Sequence, residues 1–247
     1  MKTKLLSCLL AAATALCLTA ENASAGLIVT MIDDFVSGPQ SLNLSGTTGT
    51  LTDAASGNPA DILGGERNLT FNVGVNRFGL SATASVNPAV NDSLNVDLGP
   101  FVNGDTTVTY DGTGSSGLGG IDLTSGGGIA LAIDFIATNP ITVTAEVVDT
   151  ASNVATLTFL QATPIITPER LVLPFAAFAN AAQTDFSQVD RVSVNFAPQN
   201  SGNDFGVGLI GTTNSLSSTP EPGTPLLVLA AITLAITHRS RRVHHIG

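Results

Sequence analysis

Apolar residues recur at every second position through most of the chain's interior, the period of strands with one buried face. Leu69, Phe71, Val73 and Val75 share one face, with Asn68, Thr70 and Asn72 on the other. The alternation runs through Phe78, Leu80, Ala82, Ala84 and Val86, then through Leu94, Val96 and Leu98. Ile129, Leu131, Ile133 and Phe135 repeat it, as do Ile141, Val143, Ala145 and Val147. Val192, Val194 and Phe196 follow, then Phe205, Val207 and Leu209. Strands also fit 27–32, 106–110 and 155–159. Clusters such as Gly64-Gly65, Asn87-Pro88, Gly99-Pro100 and Asn139-Pro140 punctuate these runs as turns. Only 173–183 reads as a short helix or helical turn. Ten or more short strands predict an all-β body, a two-sheet jelly-roll-like β-sandwich over 26–214. No 20–50-residue repeat suggests a propeller or solenoid.

The two ends break this pattern in opposite directions. Lys2 and Lys4 precede an apolar run from Leu5 to Leu18, and Ala23-Ser24-Ala25 supplies a small-x-small cleavage pattern before Gly26. Residues 1–25 therefore read as a signal peptide, and signal peptidase is an expected partner. Both cysteines, Cys8 and Cys17, fall inside it, so the mature chain has neither disulfide nor thiol chemistry. At the other end, 215–219 reads as a linker. Pro220-Glu221-Pro222 then precedes an apolar stretch, 225–237, read as a single transmembrane helix, and a basic tail, 238–247. Arg239, Arg241 and Arg242 in that tail favour the cytoplasmic side. Thirteen helical residues span about 20 Å, short of a hydrocarbon core of about 30 Å.

This C-terminal arrangement resembles the PEP-CTERM sorting signal. The resemblance covers about the last 28 residues and implies export followed by processing at Pro220-Glu221-Pro222 by exosortase, with a transient membrane anchor. Thr219 stands where that signal more often has Val.

Charge then narrows the functions open to the body. Residues 26–219 hold seventeen Asp and Glu against four arginines and no lysine, a net −13. Such a surface repels nucleic acids and anionic lipid. All three histidines (His238, His244, His245) lie in the tail, so the body lacks His, Cys and Lys. Ser-His-Asp and Cys-His catalysis, histidine zinc sites and Schiff-base chemistry are thereby excluded. Carboxylate chemistry alone remains. Gly112-Thr113-Gly114-Ser115-Ser116-Gly117 fits G-x-G-x-x-G, but Leu118-Gly119-Gly120 cannot open a helix, so it reads as a surface loop. Tyr110 is the one candidate sugar-facing aromatic besides the phenylalanines, most of which lie on apolar strand faces. Calcium is the one cofactor with a physical case, through Asp33, Asp34 and Asp204. Scattered solvated acids, with no cofactor, are the simpler expectation.

Ile32-Asp33-Asp34-Phe35, Ile62-Leu63-Gly64-Gly65-Glu66-Arg67 and 185–192 resemble patches of galactose-binding-like jelly rolls, among them carbohydrate-binding modules. The likeness is at fold level and transfers no binding residue. Together these readings lead to an expected non-enzymatic bacterial protein of the cell surface or extracellular matrix. The alternative is a carbohydrate-binding module recognising extracellular polysaccharide. A third reading is a carboxylate glycosidase, which needs two acids facing each other across a cleft.

Overall fold

The computed structural model describes residues 26–87 and 89–216. The expected leader, with Ala23 and Ala25, lies outside the described residues. So do the expected membrane helix, Pro220, Glu221 and Pro222 of the sorting motif, and Arg239, Arg241 and Arg242. Gly26, the expected first mature residue, is buried against Thr213 and Ser215, and its carbonyl accepts a 2.8 Å hydrogen bond from Arg170.

The period-two alternation folds into two antiparallel sheets. One contains β1 (Ile28–Asp33), β2 (Gln40–Asn43), β5 (Ala82–Asn87), β6 (Asn91–Leu98), β8 (Ala130–Ala137), β11 (Ile165–Pro174) and β13 (Phe205–Thr213). The other contains β3 (Gly49–Ser56), β4 (Glu66–Asn76), β7 (Val102–Tyr110), β9 (Ile141–Asp149), β10 (Val154–Gln161) and β12 (Val189–Pro198). The seven-stranded sheet runs β11-β8-β13-β6-β5-β2, and β1 joins the far half of β13. The six-stranded sheet runs β10-β9-β12-β7-β4-β3. The chain crosses repeatedly between sheets, so the apolar faces of both meet in one core. Leu69, Phe71, Val108, Ile133, Val143, Val194, Phe196 and Val207 fill it. The all-β two-sheet sandwich is thus the architecture of the described residues.

Several expected positions shift, each for a local reason. A bulge between Val73 and Val75 turns Val75 out of the core face. A second, between Val207 and Leu209, makes Ile210 the buried residue in place of Leu209. The stretch 173–183 is not a helix beyond one 3-10 turn, Phe175–Ala177, which packs Phe175, Phe178 and Phe186 together. Phe78 and Leu80 precede β5 rather than opening it.

Strand register gathers six connections at one end: 44–48, 77–81, 99–101, 138–140, 162–164 and 199–204. Backbone hydrogen bonds tie five of them, all but 162–164, to one another or to the start of β7. Gly46 N donates to Leu80 O at 3.2 Å, Gly99 N to Ser81 O at 2.8 Å, Gly202 N to Val102 O at 3.0 Å, and Thr138 N to Asp204 O at 2.9 Å. Side chains displayed on this end are therefore carried by turns that are hydrogen-bonded to one another.

Candidate ligand site at the loop end

Two hollows border the β12–β13 connection. The first opens among the loops. The Asn76 side chain closes the β4–β5 turn, its Oδ1 accepting from Leu80 N at 2.8 Å and its Nδ2 donating to Leu80 O at 2.9 Å. Gly79, at φ +63°, completes the reversal. The turn lifts Phe78 into solvent, 67 % exposed. Opposite it, Gly99-Pro100-Phe101-Val102 forms a turn in which Val102 N donates to Gly99 O at 3.0 Å. Proline in its second position and a left-handed third residue are the marks of a type II turn, and that third position favours Gly or Asn. Here it is Phe101, at φ +65° and 62 % exposed. The two rings meet edge to face, centroids 5.5 Å apart.

Arg77, Asn103, Gln199, Asn200 and Ser201 surround this pair in a hollow of about 530 Å³. Gln199 is steadied by donation to Thr142 Oγ1 at 2.7 Å, while Asn103 and Asn200 have amides free of hydrogen bonds among the described residues. The arrangement offers two apolar ring surfaces and several uncommitted donors and acceptors. That combination suits a ligand with apolar faces and hydroxyl edges.

The second hollow, about 560 Å³, lies on the outer face of the seven-stranded sheet. Thr83 and Ser85 of β5, Asn95 and Asp97 of β6, and Ile136 of β8 line it. Gly206 of β13 leaves its floor without a side chain. Asp204 stands beside Asp97 and also accepts from Leu98 N at 3.0 Å. Burial and the adjacent, hydrogen-bonded Asp204 carboxylate hold the Asp97 carboxyl above its usual range.

The residues singled out from the sequence lie elsewhere or serve other ends. Tyr110 is a correction: it is fully buried and cannot stack on a ligand. Period two from Val108 sends it inward, and its hydroxyl donates to Asp33 Oδ2 at 2.8 Å. Asp33 is likewise corrected, being fully buried and ion-paired with Arg67 Nη1 at 2.8 Å. Arg67 Nε also donates to Gln40 at 2.7 Å, and Nη2 donates to the carbonyls of Ser37 and Gly38. The guanidinium lies 5.2 Å from the Phe35 ring centroid. A calcium ion at Asp33 would compete with that guanidinium. Burial pushes the Asp33 carboxyl up despite the Arg67 charge, and burial with the Asp33 charge pushes the Tyr110 phenol well up.

Asp34 points away from Asp33 and accepts from Val36 N at 3.2 Å in a local turn. Asp204 belongs to the loop end with Asp97 rather than to Asp33. Among the described residues no group of three or more His, Cys, Asp or Glu is placed to hold a metal. The 112–117 loop is indeed irregular: Gly114 N donates to both Glu66 carboxylate oxygens, at 3.1 and 3.2 Å.

The fold and the two hollows define a jelly-roll-like sandwich with a displayed aromatic pair. No protein-family model and no curated protein matches the chain. Among solved structures it is similar to the family 11 carbohydrate-binding module of a cellulosomal cellulase of Clostridium thermocellum. That match has 12 % identity, covers 77 % of this chain and 98 % of that one, and has a TM-score of 0.36. A family 29 carbohydrate-binding module variant matches at 11 % identity over 72 % of this chain and 88 % of that one, TM-score 0.33. The agarase AgWH50C matches at 10 % identity over 60 % of this chain and 23 % of that one, TM-score 0.41. These likenesses carry no residue across.

Proposed function

We propose that the protein is a non-enzymatic polysaccharide-binding protein of the bacterial surface or extracellular matrix. One observation carries the reading. Phe78 and Phe101 are held in solvent on hydrogen-bonded turns, and Phe101 occupies a backbone position that disfavours any residue but Gly or Asn. Backbone strain of this kind, about 1–3 kcal/mol, persists where function needs it. An apolar ring surface beside free amides complements the two faces of a sugar.

The carboxylates support binding over catalysis. Asp97 and Asp204 line the second hollow together, and the hollow that holds the aromatic pair has no carboxylate in its lining, whereas a glycosidase sets two acids about 5–10 Å apart across the cleft that holds its sugar. Export through the leader and sorting by exosortase at Pro220-Glu221-Pro222, with Arg239, Arg241 and Arg242 orienting the tail, complete the proposal. Signal peptidase and exosortase are its processing partners, and its destination is the cell surface or matrix.

Binding of the purified protein to an array of bacterial and plant polysaccharides tests the reading. Retention on at least one glycan, lost in Phe78→Ala, is the expected result. Retention unchanged by that substitution removes the aromatic pair from the account. For sorting, Glu221→Ala with Pro222→Ala should leave export intact and block C-terminal processing in a host with exosortase. Normal processing of that variant removes the sorting proposal.

A further inference from the structure

Cations are scarce in the described residues, and most are neutralised. Arg67 pairs with Asp33 at 2.8 Å, Arg170 grips Asp134 with two nitrogens at 2.7 Å, and Arg191 meets Glu146 at 2.8 Å. Arg77 differs. Among the described residues it forms no ion pair and no hydrogen bond, and it is exposed in the wall of the loop-end hollow, next in sequence to Phe78. The residues of that wall are Val75, Arg77, Phe78, Phe101 and the polar, uncharged Asn103, Gln199, Asn200 and Ser201. No carboxylate is among them. In a body of net −13, this hollow has a free guanidinium and no acid.

We infer that the hollow recognises an anionic sugar, a pyranose bearing a carboxylate, with Arg77 as its charge partner. The inference deepens the polysaccharide reading and rests on it. Phe78 and Phe101 stack on the apolar faces of the ring, and the free amides of Asn103 and Asn200 meet its hydroxyls. Arg77 presents a planar fork of donors that matches a carboxylate with two parallel hydrogen bonds. A neutral glycan would leave that fork in water and gain nothing from it.

The chain's acidity sets the charge density the ligand can have. Residues 26–219 repel any polymer with closely spaced negative charges, and one free arginine cannot offset a run of phosphates. The fitting polymer is one in which uronate units are spaced among neutral sugars, or stand at a chain end. Exposed charges farther than about 8 Å are screened at physiological salt, so a direct contact at Arg77 counts for more than acids beyond that range.

The test is an array holding uronate-bearing, sulfated and neutral oligosaccharides, followed by calorimetry on the best binders with wild type, Arg77→Gln and Arg77→Lys. The expected winners carry a carboxylate. Arg77→Gln should weaken them about tenfold, the scale of one charge-assisted bidentate contact, and Arg77→Lys should recover part. Affinity should fall with added salt in wild type and become nearly salt-independent in Arg77→Gln. Arg77 is exposed and unpaired, so an unchanged melting curve certifies the variants. Preferred binding of neutral glycans, insensitive to Arg77→Gln, overturns the inference and leaves the polysaccharide reading standing. Preference for sulfated over carboxylated glycans overturns the carboxylate assignment. Arg77-dependent binding of a single-stranded nucleic acid in place of sugars overturns both readings, as does binding to no glycan at all.

Discussion

Replacing Phe101 with Asn separates a residue kept for binding from one kept for folding. At φ +65° a non-glycine side chain costs about 1–2 kcal/mol, a strain that Asn tolerates. Against this stands the lost burial. Phe101 is 62 % exposed, so roughly a third of a phenylalanine's 1.5–3 kcal/mol of burial is forfeited, about 1 kcal/mol. The edge-to-face contact with Phe78 adds at most about 1 kcal/mol in this solvated setting. Gain and loss nearly cancel, and Phe101→Asn should keep stability within about 1 kcal/mol, or about 2–4 °C of melting temperature. Phe71→Ala, at a fully buried position, should cost about 3–5 kcal/mol by comparison. Ligand affinity should fall about 30-fold, the loss of a 2 kcal/mol aromatic anchor. Thermal melts and calorimetry with the array-selected glycan give both numbers. A loss of stability near that of Phe71→Ala, or unchanged affinity, refutes the reasoning.

Other parts of the structure make independent predictions. Arg67→Met strands the buried Asp33 carboxylate and should cost about 3–5 kcal/mol, or about 10 °C; adding Asp33→Asn should return part of that loss, and simple additivity in denaturant melts would contradict the coupling. Tyr110 is the sole tyrosine and the chain has no tryptophan, so its ionisation is readable by ultraviolet absorbance. Its folded pKa is raised, so its stabilising share is full below about pH 10 and is lost as pH rises beyond. Phenolate should form together with the loss of β-type circular dichroism, and a simple titration near pH 10 in the folded protein would contradict burial. Asp149 accepts from the backbone N–H groups of Asp185, Asn153 and Ala151 and from the Asn153 amide, which lowers its pKa. Its contribution is present above about pH 4 and lost as pH falls through the lowered value. Asp149→Asn should therefore flatten the acid limb of the stability profile, and an unchanged limb would assign acid sensitivity elsewhere.

How much of this was readable follows from what each residue needs. Inner-face residues such as Leu69, Val143 and Val194 announce themselves because one face of a strand must be apolar. Tyr110 obeys the same rule, and counting by twos from Val108 already places it inside. Three strands escape that logic. β3 is an edge strand with Thr50, Thr52, Ala54 and Ser56 in solvent on one face and Gly49 and Leu51 exposed on the other, so neither face is apolar along its length. β2 has four residues, too few for a period. β11 carries Pro168, Glu169 and Arg170 beside a bulge that follows Ile165, which breaks its alternation. The loop-end site escapes for a related reason. Phe78 reads as the start of an alternating run, because nothing in the period reveals that Asn76 and Gly79 close a turn there. Phe101 leaves a fainter trace: Gly99-Pro100 marks a turn, and an aromatic at its third position violates that turn's preference. The side chains that meet Phe101 come from β4–β5, β7 and β12–β13, a grouping that only the strand register sets.

Calorimetric titration of an array-selected polysaccharide fragment into wild-type protein and into Phe78→Ala/Phe101→Asn bears most directly on the central claim. The account predicts a saturable isotherm for wild type and none for the double variant, with both proteins giving the same circular dichroism spectrum. Equal binding by the two would show that the displayed aromatic pair is not where this protein meets its ligand.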